Sequence, residues 1–139
     1  PAYETDGIRV RVVAGAFEGI AGPVTEIAAS PLYLEVQMAP NRELVQPVPT
    51  GHTALAYLFE GEATFGSQTA SAVQMIRFGD GDHIRAKTEN SAARFMLIAG
   101  KPFGEPIAPY GPFVMNTREE IQQALSDLRN GTFIKVEEA

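Results

Sequence analysis

The sequence holds no cysteine and no tryptophan. Without cysteine there is no disulfide, no zinc–thiolate or iron–sulfur site and no thiol nucleophile. Histidine is nearly as scarce: only His52 and His83 occur, and two imidazoles cannot make a site that needs three or four. No apolar run approaches the ~18 residues of a membrane-spanning helix. Positive charge is also short, with 11 Lys and Arg against 17 Asp and Glu and a net charge of −6. Such a field repels a phosphate backbone and an anionic bilayer alike. Neither nucleic acid nor membrane is therefore expected as a direct partner, and a cytoplasmic location is expected.

What is present is a globular composition. Of 139 residues 45% are apolar and 20% charged, enough for one domain over residues 1–139 with its own core. A period of two dominates up to about Gly100. In IRVRVVA, Ile8, Val10 and Val12 oppose Arg9 and Arg11; in LYLEVQM, Leu32, Leu34, Val36 and Met38 oppose Tyr33, Glu35 and Gln37. TALAYLFEG sets Leu55, Tyr57 and Phe59 on one face, and EATFG, AVQMIRF, HIRAK and ARFMLIAG continue the pattern. Turn formers separate these runs, among them Gly61, Gly66-Ser67, Gly79-Asp80-Gly81-Asp82 and Glu89-Asn90-Ser91. The spacing predicts an all-β sandwich or barrel with strands over about 8–99. A proline-rich connector over 100–116 then leads to a helix over about 118–130. There Ile121, Ala124, Leu125 and Leu128 form one apolar stripe, expected to lie on a sheet. Thr117 with Glu120 reads as a capping box, and Gly131 as the closing residue.

No catalytic constellation emerges from residue chemistry. His52 opens a strand alone. His83 follows Asp82, but neighbours in a strand point to opposite faces, so the pair forms only if a turn reorients them. No G-x-S-x-G elbow occurs, and Ser30, Ser67, Ser71, Ser91 and Ser126 fall in turns or on the helix. The acidic pairs Glu60/Glu62 and Asp80/Asp82 are of the type that serves as acid–base couples or hard-cation ligands, but Asp-Gly-Asp in a hairpin turn is more often turn chemistry. Gly15, Gly19 and Gly22 lack the spacing and the following helix of a phosphate loop.

Two stretches carry a family resemblance. GHTALAYLFEGEATFG looks like the first strand pair of a cupin, where Tyr57, Leu58, Glu60 and Gly61 stand at the strand end before a hairpin. GKPFGEPIAPYGPFVMNTREEIQQALSDLRNGTF closely resembles the C-terminal half of pirin-like proteins, and PVPTGHTALAYLFEGE and RVRVVAGAFEGIAGPV match that half too. The resemblance covers nearly the whole chain. It implies a cupin-like double-stranded β-helix, or jelly roll, with one C-terminal helix. It also implies a two-cupin protein whose N-terminal half holds a metal, usually iron, by three histidines and a glutamate. Some members of that family resemble quercetin 2,3-dioxygenases; others act as transcriptional cofactors.

The cupin ligand pattern does not carry over. Ahead of Tyr57 stand Thr53, Ala54, Leu55 and Ala56, and Arg94 falls where the second-motif histidine would lie. No catalytic residue, metal ligand or cofactor is expected in this chain, with iron only in a separate N-terminal half. The expectation is a non-catalytic domain supporting that half or associating with itself, through Phe103, Ile107, Tyr110, Phe113 and Val114 of the connector. The alternatives are a protein–protein interaction module, or a free-standing, metal-free cupin binding a small apolar molecule. In the latter, Leu55, Tyr57, Phe59, Met75, Phe95 and Leu97 would line the barrel.

Overall fold

The computed structural model describes residues 1–135. The chain divides into two compact units, Pro1–Pro102 and Phe103–Ala139. The first is built of β1 (Ala2–Thr5), β2 (Ile8–Ala14), β3 (Ala16–Phe17), β4 (Ile20–Ala21), β5 (Leu32–Met38), β6 (Arg42–Pro47), β7 (Thr53–Phe65), β8 (Gln68–Ser71), β9 (Gln74–Arg77), β10 (His83–Thr88) and β11 (Ala93–Gly100). Nine of these form one antiparallel sheet in the order β1-β2-β5-β11-β7-β10-β6, with β8 and β9 also paired to β7. β3 and β4 make a small separate ribbon.

Alternation sorts each strand into an inner and an outer face. Val10 and Val12, Leu34, Val36 and Met38, and Phe95 and Leu97 are all buried on the inner side. Phe65 stands edge-on to Phe95 at 5.2 Å and to Phe78 at 5.9 Å between ring centres, closing the core. β1 begins ahead of the predicted strand region. Its side chains are mostly exposed and it pairs only with β2, so it carries no core periodicity to read.

Gly61 is not the separator its residue type suggests. β7 runs through it for 13 residues, pairing with β11 before it and with β10 and β8 beyond it. Its φ of 79° lets the strand bend from one half of the sheet into the other. A methyl group added there would be driven into the carbonyl oxygen of Ala92. Glycine serves as a hinge inside a strand here, not as a stop.

The second unit holds β12 (Ala108–Tyr110), β13 (Phe113–Met115) and α1 (Arg118–Asn130). The expected extended connector thus contains a hairpin, with Tyr110 opposite Phe113. The capping box of α1 is complete: Thr117 Oγ1 accepts from Glu120 N at 3.2 Å, and the Glu120 carboxylate accepts from Thr117 N at 2.9 Å. Gly131, at φ 71°, ends the helix in the left-handed conformation. Ile121 and Ala124 are buried, yet Leu128 is 56% exposed and Leu125 only half-buried. The expected stripe therefore lies only partly against a sheet. The strands of the hairpin have three residues each, a span of ~10 Å. A helix of 13 residues runs about 20 Å, so its last turns outreach the strands.

Candidate functional site

In the alternative reading of a free-standing cupin, the interior of the first unit would hold a small apolar molecule. That interior is occupied by the protein's own side chains. On β7 the inward residues are Ala54, Ala56 and Leu58, and their partners on β11 include Leu97 opposite Ala56 and Phe95 opposite Leu58. Small side chains on one strand make room for large ones on the next. The buried polar residues are Gln46 and Thr88, and both are engaged with main chain. Gln46 Nε2 donates to the Pro47 carbonyl at 2.8 Å, and Thr88 Oγ1 donates to the Ala39 carbonyl at 2.6 Å.

The six residues expected to line the barrel are split between two faces. Phe95 and Leu97 are fully buried in the core. Leu55, Tyr57, Phe59 and Met75 sit on the opposite side of the sheet, Tyr57 and Met75 exposed and the other two half-buried. Both faces of β7 carry apolar residues, so alternation alone could not say which one turns inward. The interior beside β7 is filled by Phe95 and Leu97, which leaves space only for the smaller set.

The outer face carries ion pairs on five strands. Arg94 donates from Nη2 to Glu35 on β5 and from Nη1 to Glu60 on β7, each at 3.1 Å. Arg11 on β2 pairs with the same Glu35, and Arg9 pairs with Glu4 at 3.0 Å. Burial pushes the Glu35 carboxyl up, but hydrogen bonds from Arg94, Arg11 and Gln37 and the nearby Arg11 charge outweigh it. Glu35 is held below the usual carboxylate range, and Arg94 is held above its own. Arg94 Nε is buried without a hydrogen-bond partner.

This arrangement arises from a register shift. Arg94 pairs with Glu60 and Phe95 with Leu58, leaving Phe59 as the extra residue of a bulge. The bulge sets the Phe59 ring 5.2 Å from the Arg94 guanidinium carbon. A cleft of about 470 Å³ lies alongside, lined by Glu4, Arg9, Gln37, Glu60, Arg94 and the Gly7 turn. Its charged side chains are paired, Arg9 with Glu4 and Arg94 with Glu60. The polar alternation of β2 and β5 signalled these residues, but only strand pairing brings Arg11, Glu35 and Arg94 together.

The histidines stand apart from this face. His52 lines an open cleft with Arg77 and Asp80. His83 Nδ1 lies 2.5 Å from Asp82 Oδ1, because Asp82 belongs to the turn ahead of β10 and escapes the alternation of the strand. The hydrogen bond and charge of His83 hold the Asp82 carboxyl below its usual range. In the second unit, Phe103, Ile107, Tyr110 and Val114 are exposed, and Phe113 is half-buried, edge-on to Phe133 at 5.5 Å.

Known proteins place this geometry. The family model of the pirin C-terminal cupin domain matches residues 33–134. The chain belongs to the pirin family. Pirin-1 of Arabidopsis thaliana is 40% identical over 136 residues, covering 94% of this chain and 47% of that protein. Pirin of Homo sapiens is 36% identical over 137 residues, covering 94% and 46%. A crystal structure of quercetin 2,3-dioxygenase from Acinetobacter baumannii superposes with a TM-score of 0.86 at 28% identity, over 96% of this chain and 47% of that one. The chain spans about half the length of the curated relatives it matches. The curled sheet is thus the cupin jelly roll of a pirin C-terminal domain, with its one helix.

The donor set on the inward face of this chain does not fit an iron ion. The inward residues of β7, β10 and β11 are Ala54, Ala56, Leu58, Ala63, Phe65, Ile84, Ala86, Thr88, Ala93, Phe95, Leu97 and Ala99. None carries an imidazole or a carboxylate. Arg94, expected from the sequence where the second-motif histidine would lie, points to the outer face between inward Ala93 and Phe95. Among the described residues no three His, Cys, Asp or Glu side chains gather as a metal site. Nor is any described helix long and apolar enough to cross a membrane.

Proposed function

We propose that this chain works as the non-catalytic cupin of a two-cupin pirin protein, supporting an N-terminal cupin that holds the iron. The observation that carries this reading is the inward face of β7, β10 and β11, where a metal-bearing cupin needs imidazoles and carboxylate and this one has alanine, leucine and phenylalanine. The support is structural: a filled, rigid jelly roll that presents surfaces. Phe103, Ile107, Tyr110 and Val114 of the second unit are the surface proposed to meet the N-terminal half. For the whole protein, the likeness to a quercetin 2,3-dioxygenase supports oxygenase chemistry on a flavonol, run in that other half.

Two measurements test the proposal. Elemental analysis of tag-free protein dialysed against chelator should find no bound iron, nickel or zinc, and oxygen uptake with quercetin and added iron should match the protein-free rate. A separately expressed N-terminal half should bind the chain in light scattering and consume oxygen on its own. One equivalent of retained metal, or oxygen uptake by this chain alone, overturns the non-catalytic reading. An N-terminal half that ignores the chain overturns the supporting role.

A further inference from the structure

One cleft of the first unit collects polar side chains that the fold leaves without partners. Arg9, Arg11, Arg42, Arg85 and Arg94 of this unit each pair with a carboxylate, and His83 pairs with Asp82. Arg77, His52 and Asp80 make no ion pair and no side-chain hydrogen bond among the described residues. All three line one cleft of about 590 Å³, together with Phe78 and Pro102. A volume of this size suits a small molecule.

Strand pairing brings the three together. Arg77 ends β9 opposite Leu55 of β7, and one step further on the Phe78 N–H donates to the Ala54 carbonyl at 3.1 Å. The same antiparallel course carries the turn after Phe78 toward His52, which stands just ahead of β7. Because β9 ends at Arg77, Asp80 escapes its alternation and lines the same cleft as Arg77. Phe78 is half-buried and edge-on to Phe65, so its ring is a fixed wall. Arg77 and Asp80 are three residues apart, at most about 10 Å along an extended backbone.

We propose that this cleft binds a free α-amino acid with an apolar side chain. One guanidinium and one carboxylate give the site both signs of charge, so a ligand of a single sign is repelled by either Arg77 or Asp80. A zwitterion satisfies both. Its carboxylate lies in the guanidinium fork of Arg77, and its ammonium donates to the Asp80 carboxylate and to a ring nitrogen of His52. The two charged groups of an α-amino acid stand about 3 Å apart, and a hydrogen bond of ~2.8 Å at each end extends the span to about 8–9 Å. That span fits the separation of Arg77 and Asp80, which do not pair with each other directly. Phe78 and Pro102 receive the apolar side chain. A ligand of about nine non-hydrogen atoms in such a site has a Kd on the order of 0.1 mM.

Proton–nitrogen correlation NMR on the full chain, titrated with L-leucine, tests the proposal. The amide signals of Gly51, Thr53, Gly79 and Asp80 should shift and saturate with a Kd on the order of 0.1 mM. Isocaproate, which is leucine without its ammonium, and isoamylamine, which is leucine without its carboxylate, should each bind about tenfold more weakly or worse. Arg77→Gln and Asp80→Asn should each weaken leucine about tenfold or more. Both residues are exposed, so these variants should keep the thermal midpoint of the unchanged chain, and the two analogues test the charges with no variant at all. No shift at these amides up to about 10 mM leucine overturns the proposal. So does equal binding of isocaproate, which would make the cleft an anion site, or of isoamylamine, which would make it a cation site. Folded variants that bind leucine as the unchanged chain does overturn the roles given to Arg77 and Asp80.

Discussion

The guanidinium of Arg94 stands 5.2 Å from the centre of the Phe59 ring, at the register shift between β7 and β11. Were Phe59 paired with Arg94 in regular alternation, Glu60 would fall on the other face of the strand and Arg94 would lose one of its two carboxylates. Bulge, stacking and ion pairs are one device. It fixes where the long strand turns and which charges face outward.

Glu35 is the anion at the centre of that device. Its carboxyl is lowered in the folded chain, so the stabilisation is present above its unfolded pKa and is lost as pH falls through the folded value. Glu35→Gln should therefore lower stability at pH 7 by about 1.5–3 kcal/mol. The gap to the unchanged protein should close on acidification below about pH 4, near the unfolded carboxyl value. Urea midpoints across a pH series check both; a gap independent of pH would assign the loss to packing.

Gly61 and Gly66 share a positive φ and differ in their surroundings. A methyl at Gly61 meets the backbone of Ala92, whereas nothing lies within 4 Å of one at Gly66. Gly66→Ala should cost about 1–2 kcal/mol, the price of a left-handed non-glycine residue. Gly61→Ala should cost more than about 4 kcal/mol or prevent folding. Urea denaturation of the two variants side by side gives the ranking.

Leu58 and Tyr57 are adjacent in sequence and on opposite faces of β7. Leu58→Ala should destabilise by about 2–5 kcal/mol, since Leu58 is fully buried. Tyr57→Ala should change stability by less than about 0.5–1 kcal/mol. Calorimetry separates them, and equal losses would contradict the inner and outer faces described above.

On α1 the ranking should follow burial and not hydrophobicity. Ile121→Ala should cost about 2–4 kcal/mol and Leu128→Ala less than about 0.5, because only Ile121 is buried. Thr117→Ala should cost about 1 kcal/mol through loss of the capping box. Helical circular dichroism against urea concentration reads all three.

Much was legible in the sequence because local chemistry carried it. Period-two alternation placed the strands, the pair Thr117 and Glu120 with Gly131 bounded the helix, and the run from Gly100 to Phe133 carried the family resemblance. Those are properties of a residue and its near neighbours, and folding leaves them unchanged. Tertiary structure alone decided three things. Which apolar face of β7 turns inward depended on Phe95 and Leu97, some 40 residues away in the chain and already filling the interior. Whether Gly61 ends a strand or bends one depended on the approach of the Ala92 backbone. The meeting of Arg11, Glu35, Glu60 and Arg94 depended on strand register across a bulge. Each is a relation between distant segments, set by packing volume and hydrogen-bond register, and no local pattern encodes it.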